Sequence, residues 1–275
     1  MRRSSAAIEA LLFITLLAAM ASCRGLPLAR FSQPLPTEVA ATDEQLKFVC
    51  DFPLPPDHRL IRELKSERDD VYTTLGLPPS EEKIVVHLFH DADTYHEQLA
   101  RKFPMVPNRR AFFLETDTNL HVYAHWSDRV AEDLRHEVAH GYLHASVPAI
   151  PLWIDEGLAE YFEVPRGHGG LNRPHLLLLS DLIEVNRWKP NLERLEALSS
   201  AGEMQQEHYA EAWAWVYFLL NSTPDRRELL TEYLAELREK GKAAPLSERL
   251  ASRHIQPQRT LAEFLITLKA QQPAN

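Results

Sequence analysis

The chain predicts an α+β protein, with short apolar strands and helices alternating in its front half and helices alone from Pro151 onward. Two observations carry this. "KIVVHLFHD" and "RRAFFLETDTNLHVYAH" are short runs rich in β-branched and aromatic residues, whereas "HYAEAWAWVYFLLN" and "DRRELLTEYLAELREKG" carry apolar residues at helical spacing. A composition of 45% hydrophobic and 25% charged residues over 275 positions is that of a globular protein. The net charge of −9, with no basic stripe, argues against nucleic acid as a partner and favours a small or peptide-like ligand.

Residues 1–22 read as an export signal: Met1-Arg2-Arg3 is positive, Leu11 to Met20 is apolar, and small residues lead to Cys23. The apolar run falls short of the roughly 20 residues that a membrane span needs. "MASC" is similar to the lipobox of bacterial lipoproteins, which would make Cys23 a lipid anchor in the cell envelope; simple secretion with cleavage after "AMA" is the alternative. Residues 23–42, rich in proline and small residues, read as a tether, and 43–275 as the folded domain. With Cys23 lipidated, Cys50 has no disulfide partner and reads as a small buried hydrophobe.

Within the domain, "QLKFVCDF" reads as a strand and "PPDHRLIRELKSERDDVYTTLG" as a helix closed by Gly76. "KIVVHLFHD" is a second strand, and "DADTYHEQLARKF" a short helix capped by an Asp. "RRAFFLETDTNLHVYAH" is a hairpin turning at "ETDTN". The next helix takes Ser127 or Asp128 as its cap and turns Val130, Leu134, Val138 and Leu143 towards the sheet. Five helical stretches follow, namely "LWIDEGLAEYFEV", "PHLLLLSDLIEVN", "HYAEAWAWVYFLLN", "DRRELLTEYLAELREKG" and "TLAEFLITLKAQ".

The chemistry is concentrated in "DLRHEVAHGYLH". His136-Glu137-Val138-Ala139-His140 has the H-E-x-x-H pattern, in which two histidines one helical turn apart bind zinc and the glutamate is a general base. A catalytic zinc keeps one position open for water, whose proton is lost near neutral pH because the ion stabilises hydroxide. A third protein ligand is needed, and "WIDEGLAEYFE" offers Glu156 and Glu160 on the next helix.

In these two segments the chain resembles the gluzincin metallopeptidases, the thermolysin-like and M1 aminopeptidase-like clan. "PLWIDEGLAEYFE" is similar to the W-L-x-E-G-x-A-x-Y-F segment of the aminopeptidase branch, and more closely to the bacterial DUF1570 group of peptidase MA-like proteins. The resemblance extends over about Gln45 to Leu220 in element order. It implies a thermolysin-like domain holding Zn2+ on His136, His140 and Glu156, with Glu137 as base and acid. Glu160 would accept a hydrogen bond from a ligand histidine. Fifteen residues separate His140 from Glu156, fewer than is usual in the clan, and nineteen separate it from Glu160, so Glu160 stands as the rival ligand.

Tyr209 resembles the tyrosine with which M1-type enzymes stabilise the oxyanion, His208 being the alternative donor. "AFFLE", Ala111 to Glu115, occupies the place of the clan's edge strand that pairs with extended substrate. His121, His125 and His144 read as surface or supporting residues. The resemblance therefore implies a zinc metallopeptidase of the cell envelope acting on peptide or protein. "RRAFFLETDTNL" lacks the G-x-M-E-N pattern of M1 aminopeptidases, which favours an endopeptidase. The alternative is a catalytically inactive relative serving as a binding or scaffold lipoprotein.

Overall fold

The computed structural model describes residues 38–104, 109–253 and 256–272, all within one compact unit. The export signal, Cys23 and the tether as far as residue 37 lie outside the described residues. The folded body starts earlier than its composition suggests. Val39–Asp43 (β1) pairs antiparallel with Leu46–Cys50 (β2), so the last residues read as tether are a strand. The backbone partners that stabilise β1 lie on β2, which a scan for local composition does not register.

Arg59–Leu75 (α1) then leads to Ile84–Phe89 (β3), and Ala92–Lys102 (α2) to the hairpin Ala111–Glu115 (β4) and Leu120–His125 (β5). The sheet order is β1-β2-β3-β5-β4, with β2, β3 and β5 parallel and an antiparallel strand at each edge. Strand periodicity divides β3 between two cores. Ile84, Val86 and Leu88 join the main core, while Phe89 packs with Tyr95, Leu99, Phe112 and Tyr123 on the side of α2. Asp91 caps α2 by accepting from the Thr94 amide at 2.7 Å, and Gly76 ends α1 at a φ of 65°, where a side chain would be strained.

Val130–His144 (α3) lies on the main-core face of the sheet. Its apolar stripe is buried as expected, but Arg129 occupies the cap position without a side-chain cap, and Ser127 Oγ accepts from the Arg129 amide instead. The remainder is helical: Leu152–Phe162 (α4), Arg173–Glu184 (α5), Leu192–Glu196 (α6), a 3-10 turn at Ala201–Glu203, Gln206–Asn221 (α7), Pro224–Lys240 (α8), Leu246–Arg253 (α9) and Pro257–Ala270 (α10). Among the described residues no helix is long and apolar enough to cross a membrane.

Helix α4 is held tightly against α7. A Cβ on Gly157 would lie 2.6 Å from the carbonyl oxygen of Ala212, so only glycine permits this approach. Trp213 on α7 donates its indole N–H to Gly170 O at 2.9 Å, fixing the loop that leaves α4. The helix carrying Glu156 is thereby fixed between the motif helix and the helical half.

Candidate metal centre

His136 and His140 are one turn apart on α3, with ring centroids separated by 5.0 Å. The short link 145–151 turns the chain back so that α4 packs on α3 and brings Glu156 opposite both rings. Glu156 Oε2 lies 3.5 Å from His136 Nε2 and 3.6 Å from His140 Nε2. Ligand atoms about 2.1 Å from a tetrahedral zinc are about 3.4 Å from one another, so these spacings are those of a tetrahedron's edges. The three side chains form one of three groupings among the described residues compact enough for a metal ion.

The outer nitrogens of both rings meet carboxylates as well. His136 Nδ1 lies 3.0 Å from Glu163 Oε2, and His140 Nδ1 lies 2.9 Å from Asp155 Oδ1. Such partners fix ring orientation and leave Nε2 free to face an ion. Asp155 also meets His144 Nε2 at 3.1 Å, and His144 Nδ1 reaches Glu115 Oε2 at 2.6 Å, tying the centre to the end of β4.

Glu160 does not take the place expected of it. Its Oε2 accepts from His175 at 2.8 Å and from Asn172 at 3.3 Å, while Glu163, one turn nearer the end of α4, makes the contact to His136. Asn172 donates to Glu163 Oε1 at 3.0 Å and so supports that carboxylate from behind.

The electrostatics follow from burial and pairing. Burial opposes charge on Glu156, but the His136 and His140 rings beside it outweigh it and hold its carboxyl down to about 2. Asp155 is likewise held well below the usual carboxylate range, against its burial, by His140 and His144. Burial also opposes charge on His140, yet Asp155 and Glu156 raise it to about 10; Glu156 and Glu163 raise His136 in the same way. Glu163 is pushed up to about 7 by burial, with Glu160 adding to the effect, and burial raises Glu137. The carboxylates thus set a potential that demands positive charge between the rings.

Tyr209 opens α7, half-buried, within the electrostatic reach of Glu156 and Arg109. His208, the alternative donor, is engaged elsewhere, its Nδ1 accepting from the Gln205 amide at 3.1 Å. Arg109 was not singled out by its sequence, since it sits in the irregular segment before β4 with no periodic pattern around it. Burial works against its charge, but Tyr209, Glu156 and Glu137 raise its pKa further. Phe113 of β4 stacks on His140 at 5.9 Å, so the outer strand borders the centre directly. His121 pairs with His87 at 3.2 Å, and His125 packs on Tyr95; among the described residues neither joins a metal-capable grouping.

Residues 130–246 match the model of the family DUF1570, described as a protein of unknown function. The match supports the DUF1570 family. No curated protein matches the chain. The DUF1570 segment begins with α3 and ends at the first residue of α9. It contains His136, His140 and Glu156, both carboxylates behind the rings, and Tyr209, while the sheet and Arg109 lie before it.

Proposed function

We propose that the protein is a zinc-dependent metallopeptidase that hydrolyses peptide bonds, anchored in the cell envelope through Cys23. The observation that supports it best is the convergence of two imidazole Nε2 atoms and one carboxylate oxygen at tetrahedral spacing, with each Nδ1 against a carboxylate. This donor set fits zinc, which takes nitrogen and oxygen ligands and needs neutral, oriented imidazoles. Zinc held by His136, His140 and Glu156 would polarise a peptide carbonyl and acidify a water molecule.

The chain's own residues supply the rest. Glu137, buried next to His136 with a raised pKa, is suited to take a proton from water and pass it to the leaving amine. The Tyr209 hydroxyl, kept protonated by burial and lying near Arg109, is suited to donate to the oxygen on which charge develops. The outer edge of β4 would pair with the main chain of an extended peptide, a mode that favours cleavage within a chain.

The test is metal content and hydrolysis of a peptide library by the purified protein and its Glu137→Gln variant. The variant should keep stoichiometric zinc and lose activity by about 10²–10⁴-fold. A wild type without stoichiometric zinc, or a variant as active as wild type, would refute the reading.

A further inference from the structure

The largest apolar side chain left exposed among the described residues is Trp126, 38% exposed where the chain leaves β5. It is not isolated. The Phe52 ring meets it edge-on at 5.5 Å and the His58 ring at 5.7 Å, and these three line an open groove of about 370 Å³ together with Pro53, Pro55 and His90. The walls come from the segments that follow β2, β3 and β5, three neighbouring parallel strands, so the groove lies across one end of the sheet. Those segments are tied together. Asp51 accepts from the His90 amide at 2.7 Å, and the Trp126 amide donates to Phe89 O at 2.7 Å. A contiguous apolar surface of this kind marks a docking site, and aromatic rings beside prolines suit an extended, proline-bearing segment.

The chain itself brings such a segment to the groove. Pro34-Leu35-Pro36-Thr37 stands immediately before Glu38, the first described residue. Glu38 O accepts from the Cys50 amide at 3.2 Å and Val39 pairs with Val49, so the chain enters the body beside the end of β2, two residues before Phe52. Continuing that antiparallel register by two positions would set Pro36 opposite Phe52. Pro34 and Pro36 have no amide N–H, and neither do Pro53 and Pro55, so a backbone ladder cannot run on there. Packing of pyrrolidine rings on aromatic ones is the contact left to them. Residues 34–37 span at most about 14 Å when extended, and β5 is two strand spacings, about 10 Å, from β2, so the segment is long enough to cross from Phe52 to Trp126. We propose that Pro34-Leu35-Pro36 docks in this groove against Phe52 and Trp126. Docking needs neither zinc nor hydrolysis. It would make residue 34, rather than residue 38, the point at which the tether leaves the body.

Fluorine NMR of the full chain carrying 5-fluorotryptophan reads the groove directly, with the Trp126 signal assigned by Trp126→Phe. Trp153, Trp188, Trp213 and Trp215 are buried and report whether each variant is folded. Leu35→Asp, and separately Pro34→Ala combined with Pro36→Ala, should move the Trp126 signal and enlarge its solvent isotope shift between H2O and D2O, leaving the other four signals in place. Tryptic cleavage after Arg30 gives the reciprocal readout. Trp126→Ala should speed it severalfold, because cleavage follows the undocked population. A Trp126 signal identical in wild type and both tether variants would leave the groove to another protein and overturn the proposal, as would a cleavage rate unchanged by Trp126→Ala. A Trp126 signal that moved with protein concentration would identify a second copy as the occupant and overturn it equally.

Discussion

Removal of the Glu163 carboxylate should weaken zinc binding, and removal of the Glu160 carboxylate should not. Glu163 Oε2 is 3.0 Å from His136 Nδ1, whereas the partners of Glu160 are His175 and Asn172. Losing the group that orients a ligand histidine costs about 10–100-fold in metal affinity, equivalent to about 1.4–2.7 kcal/mol. Competition against a fluorescent zinc chelator resolves this range for Glu163→Ala and Glu160→Ala. Proton competition provides a second readout. Glu156 and Glu163 raise the pKa of His136 against its burial, so zinc must displace a ring proton and affinity rises with pH. In Glu163→Ala one of these raising contacts is gone, and the rise should level off at lower pH than in wild type. If Glu163→Ala bound zinc as wild type while Glu160→Ala lost it, α4 would present Glu160 to the centre and the assignment would fail.

Gly157→Ala should cost about 1–3 kcal/mol, because the new methyl meets backbone at Ala212, with the oxygen 2.6 Å away. Gly141→Ala meets the side chain of Ile84, Cδ1 at 2.8 Å and both γ carbons at 3.1 Å, rather than backbone and should cost less, and equal losses in thermal melts would contradict the packing described. Tyr209→Phe should retain zinc and lower kcat by about 10²–10³-fold, with KM changing less; an unaltered kcat would remove Tyr209 from the reaction. Burial pushes Glu67 well above the usual carboxylate range. Its contribution is therefore fully present below the unfolded value of about 4.3 and is lost as pH rises towards the raised folded value. Glu67→Gln escapes that loss. Urea unfolding should give the two proteins similar stability near about pH 4 and favour the variant at neutral pH, and a wild type that stayed the more stable at neutral pH would mean an ionised, partnered Glu67.

The sequence is most readable where burial follows a period. β3 alternates between two cores, and Val130, Leu134 and Val138 share a helix face, so both elements stand out from pattern alone. β1 depends on a partner strand, and α6 and α9 are too short for a clear period, which is why none of the three is legible. His136 and His140 are legible because a helix fixes their relation. Glu156 and Glu160 lie one turn apart on α4, and only the path of residues 145–151 decides which of them meets the rings. Glu163 looks in the sequence like part of a solvated helix face, and its contact to His136, like that of Asp155 to His140, depends on helix packing that no local signal encodes. Arg109 reaches Tyr209 from irregular chain, where spacing carries no information.

Arg135, Glu137, His140, Asp155, Glu156 and Glu160 are all buried on two adjacent helices. Apolar residues in such places are often neutral or stabilising, so this concentration of ionisable groups is poorly explained by folding alone. Charge balance offers a reason. Pairing across the centre raises the pKa of His136 and His140 and lowers that of Glu156 and Asp155, which favours positive charge on the rings between the carboxylates. One divalent cation between two neutral imidazoles carries the same charge. Exchange of two ring protons for zinc would leave Glu156 and Asp155 balanced. Zinc binding in weakly buffered solution at neutral pH should therefore release close to two protons per ion. Release of none would mean that the rings are already neutral and that the carboxylates around them serve another cation.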